Sequence, residues 1–345
     1  MKLWTTFCPQ KICWEVTTVK GKGSGGEGNW LRHVALIEQS LRLLRKSGIS
    51  GIRLVIYPNE ITPDGEKFDW TPIETMLDVC KKHRLQVDLC VGPFQYPNYP
   101  GVYLPNVLLE LVFANTRSLD TTAVIRTFGE TFLQKQLERY AEDRRIHGFH
   151  LANEWPDKQR VQGREQVKTW ISEAFMLWAV SYLKDHTEKP ITLNTNIDVS
   201  DGRRLKSVFN ELFTLLGKQG RLGFDVYPTQ ETWRKVPLQK LHRLWEPYHR
   251  SFRRAKKQFP LTKFYFCEVE AQPWGDGRSW SQIITSEVNP QEKVLQYSPQ
   301  SLPQTFKNYI RKSRVDDVSL WGADFWLSAY EMGISWPLEQ IKQFS

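Results

Sequence analysis

The chain has 345 residues, of which 40% are hydrophobic and 13% aromatic, and its formal net charge is +9. This length exceeds that of an ordinary domain, but a single α/β barrel takes about 250 residues, and more with insertions. Basic pairs such as Arg253-Arg254 and Lys256-Lys257 alternate with apolar positions at helical spacing. Since no nucleic-acid motif accompanies them, they indicate solvated helix faces, and nucleic acid is not the expected partner.

Short apolar runs alternate along the chain with longer amphipathic stretches. Eight runs are predicted to be strands: Leu3–Phe7, Ile52–Tyr57, Gln86–Val91, Gly148–Ala152, Ile191–Asn194, Leu222–Tyr227, Lys263–Cys267 and Val318–Phe325. The stretches between them are predicted to be helices: Trp30–Lys46, Pro72–Lys82, Thr121–Arg144, Arg164–Lys184, Arg204–Leu216, Gln239–Gln258 and Leu302–Lys312. This α/β order implies parallel strands with crossovers, and eight repeats favour a single (β/α)8 TIM barrel over residues 1–345.

Three segments rich in Gly, Pro, Ser or aromatic residues are predicted to be long loops after strands: 17–28, 93–105 and 271–299. The first contains five glycines but no Gly-Lys-Ser/Thr ending that opens a helix, so it is not a phosphate-binding loop. The absence of a G-x-G-x-x-G turn after the first strand also argues against a dinucleotide-binding fold.

The sequence predicts neither a cofactor nor a metal. The chain has seven histidines, and no H-E-x-x-H or similar ligand spacing accompanies His147 and His150 on the fourth strand. No G-x-S-x-G elbow is present, which disfavours serine-hydrolase chemistry.

The cellular setting is predicted from the cysteines and from the first residues. The five cysteines form no C-x-x-C pair and mostly lie in apolar runs, which indicates buried free thiols in a reducing compartment. Residues 1–6 show no apolar signal-peptide region, and no run of about 18 apolar residues exists. We therefore expect a cytoplasmic protein without a membrane partner.

Two predicted strands end in carboxylates. The fourth leads into Asn153-Glu154-Trp155-Pro156, and the seventh leads into Glu268. In an eight-stranded barrel these strands lie three steps apart, so their carboxyl ends face each other across the mouth, where such barrels place active sites. Alone, Glu154 has a structural alternative, an acidic residue at the start of a helix. As a pair, the carboxylates predict chemistry at a sugar anomeric carbon, with one carboxyl protonated and the other ionised.

The second carboxylate has two candidates, Glu268 and Glu270, which are two residues apart and share a face of an extended backbone. Glu268 is preferred because it directly follows the apolar run, whereas Glu270 would lie further into the loop. The separation of the two carboxyl groups decides between retention (about 5–5.5 Å) and inversion (about 6.5–9.5 Å) of the anomeric configuration.

The surroundings of these carboxylates resemble clan A of the glycoside hydrolases, which includes the cellulase and mannanase family five and the β-galactosidase family forty-two. The likeness runs from the second predicted strand to the eighth. It is carried by Gly51-Ile52-Arg53-Leu54, Gly65–Trp70, Asn153-Glu154, Phe224–Pro228, Glu268 and Trp321–Trp326. The resemblance implies a retaining β-glycosidase that acts on an oligosaccharide, polysaccharide or glycoconjugate and needs no cofactor.

By this resemblance, Glu154 is the general acid/base and Glu268 is the nucleophile. Arg53 supports the nucleophile, and Asn153 hydrogen-bonds the sugar 2-hydroxyl. Arg53 also has a plain structural alternative, an ordinary ion pair in the barrel interior.

The resemblance further implies substrate-binding roles for aromatic side chains. Tyr227 hydrogen-bonds the nucleophile, and Trp326 on the eighth strand lies under the sugar, with Trp274 as a second candidate for that platform. Tyr99-Pro100 stands where relatives often carry a Trp-Pro element, a departure that bears on substrate preference. Tyr227 and both tryptophans could instead be packing residues, and Asn194 at the end of the fifth strand is a further candidate contact.

Two other functions remain open at this level: transfer of the sugar to an acceptor other than water, and carbohydrate binding without catalysis. A pair of carboxylates supported by Arg53 and Tyr227 favours the enzyme, because a binding site has no need of both. The sequence does not indicate the sugar, the linkage, internal or terminal cleavage, or the oligomeric state.

Overall fold

The strands form a closed parallel barrel. The computed structural model describes residues 2–20, 30–97, 101–112, 118–196, 203–226, 253–273, 280–286, 289–296, 310, 313 and 315–344. With all strands numbered in chain order, the barrel consists of β1 (Lys2–Phe7), β2 (Gly51–Leu54), β3 (Gln86–Gly92), β5 (Ile146–Leu151), β8 (Ile191–Asn196), β9 (Gly220–Val226), β10 (Lys263–Glu270) and β11 (Asp317–Trp321). Each pairs in parallel with the next, and β11 pairs with β1. The predicted TIM-barrel fold is confirmed.

Helices surround the barrel, and a small second sheet is formed by segments that follow β3 and β5. The described helices are Pro9–Val19, Val34–Lys46, Pro58–Ile61, Thr71–Lys82, Asn106–Leu109, Ala123–Tyr140, Glu173–His186, Arg203–Leu216, Trp280–Thr285, Pro290–Gln296, Ala323–Glu331 and Trp336–Ile341, with a further helical segment at 253–258. The small sheet consists of β4 (Gly101–Val102), β6 (Gln159–Val161) and β7 (Arg164–Thr169). None of the described helices is both long and apolar enough to cross a lipid bilayer.

The helices pack on the barrel through apolar stripes at helical spacing. In Val34–Lys46, Ile37, Leu41 and Leu44 are fully buried and face the strands. All five cysteines are buried free thiols, as predicted. The apolar core therefore lies largely between the strands and the helices, which leaves the barrel interior available for polar side chains.

The predicted helix Arg164–Lys184 is wrong in its first part. Residues Arg164–Thr169 form β7, which pairs antiparallel with β6, and the helix begins only at Glu173. Ser172 caps that helix by accepting a hydrogen bond from the Phe175 backbone N–H at 3.2 Å. The alternating Arg-Glu-Gln-Val-Lys-Thr pattern is typical of a strand, and the long helical pattern after it concealed this signal.

The predicted loops contain regular structure that the sequence analysis missed. The helix Pro9–Val19 directly follows β1, so the described part of the predicted loop 17–28 is partly helical. Pro9 stands in the first turn, where its missing N–H costs nothing, and Ile12 and Val16 bury the inner face. The loop 93–105 contains β4, and the loop 271–299 contains two short helices, Trp280–Thr285 and Pro290–Gln296. Most of the predicted helices Gln239–Gln258 and Leu302–Lys312 lies outside the described residues.

The eighth barrel strand is shorter than predicted. It ends at Trp321, and the helix Ala323–Glu331 begins two residues later. Gly322 makes the connection at φ 141°, and a Cβ at this position would lie 2.9 Å from the Ala271 carbonyl oxygen. Only glycine fits this turn. Trp326 therefore lies in a helix and not on a strand.

Ion pairs cross the barrel interior instead of the usual branched apolar layers. Near the amino ends of the strands, Asp88 on β3 accepts from Arg221 on β9 at 2.6 Å and contacts His147 Nδ1 at 3.0 Å. Burial alone would raise the pKa of Asp88, but Arg221 and His147 outweigh it and hold that pKa below its ordinary value. The pair bridges strands that are not neighbours, so it braces the barrel from within.

We predict that Asp88→Ala destabilises the fold by about 3–5 kcal/mol, because it leaves the buried Arg221 guanidinium without its partner. Asp78→Ala is the matched control: its side chain is 71% exposed, and its ion pair with Arg145 lies on the surface. That variant should stay within about 1 kcal/mol of the parent. Urea unfolding of the three proteins measures both effects, and equal losses would contradict the bracing role of Asp88.

Candidate active site

An irregularity in β10 sets the position of Glu268. Phe266 pairs with Phe224 on β9, and Glu268 pairs with the very next residue, Asp225, so Cys267 is an extra residue in the ladder. The strand runs on to Glu270, which corrects the prediction that it ends at Cys267. The bulge places the Cys267 thiol and the Glu268 carboxylate within reach of one cation.

That cation is Arg53 on β2. Its Nη2 donates to Glu268 Oε1, and its Nη1 lies 2.7 Å from Cys267 Sγ. Its Nε and Nη2 donate to Thr6 Oγ1 at 3.0 Å and 2.5 Å. Arg53 and Glu268 are both only 2% exposed. The plain structural alternative for Arg53, an ion pair in the barrel interior, thus involves the predicted nucleophile itself.

Glu154 follows β5 in a tight left-handed turn. Ala152 and Glu154 have φ values of 48° and 51°, a backbone region that side-chain-bearing residues rarely adopt. Trp155 anchors the turn, since its ring is buried and its Nε1 donates to the Ile171 carbonyl oxygen at 2.9 Å. Gln159, at the start of β6, donates from Nε2 to Glu154 Oε2 at 2.9 Å. The turn and the small sheet together fix the carboxyl of Glu154.

Asn194 on β8 connects the turn that carries Glu154 to Asp225 on β9. Its Oδ1 lies 2.8 Å from His150 Nε2 and accepts from the Glu154 backbone N–H at 3.2 Å. Its Nδ2 donates to Asn153 Oδ1 at 2.9 Å and to Asp225 Oδ2 at 2.5 Å. All four hydrogen-bonding positions of this amide are used, so Asn194 positions its neighbours and is not itself free to bind a ligand.

Three carboxylates converge at the mouth. One carboxylate oxygen each from Glu154, Asp225 and Glu268 lies within 4.8 Å of the other two. Oxygen ligands at this spacing also suit a hard divalent cation, although Arg53 already supplies positive charge to Glu268. One oxygen of Glu154 and one of Glu268 thus come close together, which favours the shorter of the two glycosidase geometries.

The surroundings shift the pKa values of the three carboxyl groups to different extents. Burial raises the pKa of Glu154 to about 8, and the negative charge of Glu268 adds to that shift. Burial, followed by the charges of Glu268 and Glu154, raises the pKa of Asp225 well above its usual range. Burial also raises the pKa of Glu268, but the charge and the hydrogen bond of Arg53 oppose this. Glu268 is therefore the carboxyl that carries the negative charge, while Glu154 and Asp225 hold protons.

Glu270 does not share this environment. Its side chain is buried, and among the residues that the structure describes it has no ion pair. Burial alone raises its pKa well above the ordinary value, whereas at Glu268 the Arg53 cation opposes burial. The preference for Glu268 thus rests on Arg53, and not on the position of the strand end that the sequence analysis used.

Two tryptophans at and after the end of β11 differ in their surroundings. Trp326 is 2% exposed, and its Nε1 donates to the Ala271 carbonyl oxygen at 2.8 Å, so little of its ring is open to a ligand. Trp321, at the end of β11, lines a cleft at the mouth. Tyr227, Trp274 and Tyr99 lie outside the described residues, so their predicted binding roles stay predictions.

Sequence reasoning missed Asp225, Gln159 and the central place of Asn194. Asp225 carried a signal, a carboxylate inside an apolar run near a predicted strand end. Gln159 carried none, because the strand on which it lies was not predicted.

Several solved structures that are similar to this barrel are glycoside hydrolases. A GH5_18 protein from Bifidobacterium longum matches with a TM-score of 0.60 and 11% identity over 99% of this chain and 78% of that one. A β-galactosidase from the Antarctic haloarchaeon Halorubrum lacusprofundi gives 0.55 and 11%, over 93% of this chain and 52% of that one. A psychrophilic family 10 endo-β-1,4-xylanase gives 0.51 and 14%, over 93% and 86%.

At these identities the likeness shows a shared fold. The resemblance inferred from the sequence is therefore confirmed at the level of the fold. The chain spans about half the length of two β-galactosidases that it matches, 52% and 54%. No protein-family model matches the chain.

We predict that the pKa of Glu154, followed by ¹³C NMR of the side-chain carboxyls, falls in Glu268→Gln, because that variant removes the negative charge that raises it. In Asp225→Asn the pKa should stay close to that of the parent, since a neutral amide replaces a neutral acid. A fall of about one pH unit or more in Asp225→Asn would show that Asp225 is ionised, contrary to this assignment. Glu154→Gln assigns the resonance.

Proposed function

We propose that the protein is a retaining β-glycosidase in which Glu154 is the general acid/base and Glu268 is the nucleophile. The observation that carries this proposal is the approach of the two carboxylates to within 4.8 Å at the ends of β5 and β10. Inverting enzymes hold their carboxyl groups about 6.5–9.5 Å apart to admit a water between them, whereas retaining enzymes hold them about 5–5.5 Å apart. The split in charge between the two groups supports the same assignment.

In the first step, Glu268 attacks the anomeric carbon as the glycosidic bond breaks. Its Oε atom forms a covalent glycosyl ester, and the bonding electrons pass to the leaving oxygen. Glu154 delivers its proton to that oxygen, and an alcohol departs. Arg53 keeps Glu268 ionised before the attack. The contact between Arg53 and Glu268 weakens as the carboxylate loses its negative charge to the new ester bond.

In the second step, Glu154, now a carboxylate, takes a proton from water. The water oxygen bonds to the anomeric carbon, and the ester bond to Glu268 breaks, which restores both carboxyl groups to their first state. Two successive inversions at one carbon give overall retention. While Glu268 is esterified its negative charge is absent and the pKa of Glu154 falls, so Glu154 can act as a base; hydrolysis restores that charge and with it the raised pKa.

Neighbouring groups have roles that fit this chemistry. Asn153 accepts from Asn194 through its Oδ1, and its amide Nδ2 is the group assigned to donate to the sugar 2-hydroxyl. Trp321, rather than Trp326, offers a ring at the cleft wall for the sugar face. Both assignments rest on the placement of these side chains at the mouth.

The bond proposed as the substrate is a β-glycosidic bond of an oligosaccharide, polysaccharide or glycoconjugate. Structures with the same fold support this choice. Their descriptions name β-galactosidases, an endo-β-1,4-xylanase, and a GH5_18 variant in complex with Manβ1-4GlcNAc. Each of those descriptions concerns a β-linked sugar and a protein of the same architecture.

We predict that kcat/KM for an aryl β-glycoside falls as the pH rises through about 8. The pKa of Glu154 is raised to about 8, and the protonated form is the acid that the first step needs, so activity is present below that value and lost above it. A full pH–rate profile measures this limb. A profile that stays flat to pH 10 would contradict the role of Glu154.

The loss of rate on replacement of Glu154 should depend on the leaving group of the substrate. Glu154→Ala should slow cleavage of alkyl glycosides by about a hundred- to ten-thousand-fold, because a poor leaving oxygen needs the proton. Cleavage of dinitrophenyl glycosides to the covalent intermediate should slow far less, because that leaving group departs as an anion. Pre-steady-state release of the phenol separates the two cases, and an equal loss on both substrates would argue against the acid role.

The nucleophile can be identified directly. A 2-deoxy-2-fluoro glycoside with a good leaving group slows the second step, so the glycosyl ester accumulates. Peptide mass spectrometry should locate the sugar on Glu268, with labelling abolished in Glu268→Gln and preserved in Glu270→Gln. A label on Glu270 would overturn the assignment.

A further inference from the structure

A second cluster of charged side chains lies beside the catalytic pair. It lines a cleft between the carboxyl ends of β1 and β11, formed in part by Thr6, Lys11, Trp321 and Asp324. Thr6 accepts the hydrogen bonds of Arg53, the residue that contacts the predicted nucleophile. The cleft therefore shares a wall with the catalytic site.

The cluster is built on the two helices that follow these strands. Lys11, in the first turns of Pro9–Val19, places its Nζ 2.7 Å from Asp324 Oδ2 and 3.8 Å from Glu15 Oε1. The same ammonium lies 5.6 Å from the centre of the Trp321 ring. Gln272 connects Asp324 to Trp321. Its amide donates to Asp324 Oδ1 at 3.2 Å and accepts from Trp321 Nε1 at 2.8 Å.

The charges within the cluster balance. Burial disfavours the Lys11 ammonium, but the charge of Asp324, its nearest partner, opposes burial and the pKa of Lys11 is raised, so it stays charged. Burial and the nearby Asp324 raise the pKa of Glu15 well above its ordinary value, which makes Glu15 neutral. One cation and one anion remain, held side by side next to an indole ring.

The cleft lies on the nucleophile's side of the mouth. Strands β1 and β11 adjoin β2 and β10, which carry Arg53 and Glu268, and they lie across the barrel from β5 and Glu154. The acid and the nucleophile flank the sugar that is transferred, so groups beside Glu268 lie next to that sugar.

We propose that Lys11, Asp324 and Trp321 form a subsite for a neutral sugar ring of the transferred glycone, with Lys11 donating to one hydroxyl and Asp324 accepting from a neighbouring hydroxyl. This proposal rests on the retaining-glycosidase function and names the chemistry of its substrate. The ammonium has three donors and the carboxylate several acceptor positions, so each can serve its partner and a ligand together. The Trp321 face suits the C–H surface of a pyranose ring.

The balance of charge selects a neutral sugar over an acidic one. A hexuronic acid would bring a second carboxylate to an ammonium that Asp324 already neutralises, and the new anion would face Asp324 at short range. Vicinal hydroxyls instead match a donor and an acceptor that stand side by side. The side chain of Lys11 is 17% exposed, so a ligand in the cleft can reach it.

The test uses 4-nitrophenyl β-glycosides of neutral hexoses, those of the matching hexuronic acids, and the four monodeoxy congeners of the preferred neutral glycone. Lys11→Met and Asp324→Asn keep the side-chain size and remove one partner each. Both should lower kcat/KM on the complete sugar by about ten- to a hundred-fold, as loss of a hydrogen bond to a charged group does. On the congener that lacks the hydroxyl concerned, each variant should approach the parent.

Lys20→Met is the matched control. Lys20 pairs with Glu331 at 2.8 Å and so joins the same two helices at their far ends, away from the cleft. It should behave as the parent on every substrate. Thermal unfolding of all variants confirms that they are folded.

Three outcomes overturn the subsite: an equal loss on all congeners, no loss on any substrate, or a parent that prefers the hexuronic acid. If the parent cleaves no aryl glycoside and takes no label from a fluorosugar, the proposed function itself fails, and the subsite fails with it.

Discussion

The contact between Arg53 and Glu268 is the constraint on which the barrel mouth depends. Both groups are buried, and a buried charge is tolerated only when it is paired. Three carboxylates converge there, and two of them ionised at about 5 Å would repel by roughly 3 kcal/mol at an effective dielectric constant of about 20. With one cation in contact, one carboxyl takes the charge and the other two keep their protons. The division into nucleophile and acid follows from this single pair.

The fold supplies the geometry around that pair. Parallel strands bring their carboxyl ends to one face, the bulge at Cys267 turns Glu268 toward Arg53, and a left-handed turn aims Glu154. Asn194 then ties the turn to β9 through Asp225. Since these contacts cross between strands that are far apart in sequence, the site forms only when the barrel closes. Stability and site assembly are therefore linked through the same polar interior.

The eight strands and both catalytic candidates could be predicted because their signals are local. Each strand is a short apolar run, and Glu154 and Glu268 follow such runs directly. What failed depends on tertiary contacts. Arg164–Thr169 is a strand only because β6 pairs with it, and Trp326 left the expected strand because Gly322 turns the chain sharply. Lys11 could not be placed, because the helix that carries it was not predicted, and its partner Asp324 is more than 300 residues away.

A covalent intermediate on Glu268 requires retention of the anomeric configuration, and the stereochemistry of the first-formed product reveals whether it occurs. Hydrolysis of an aryl β-glycoside by the full chain can be followed by ¹H NMR before the released sugar mutarotates. The covalent mechanism predicts that the β-anomer appears first and that the α-anomer grows in later. An α-anomer as the first product would contradict it, because a single displacement by water would then replace the covalent step at Glu268.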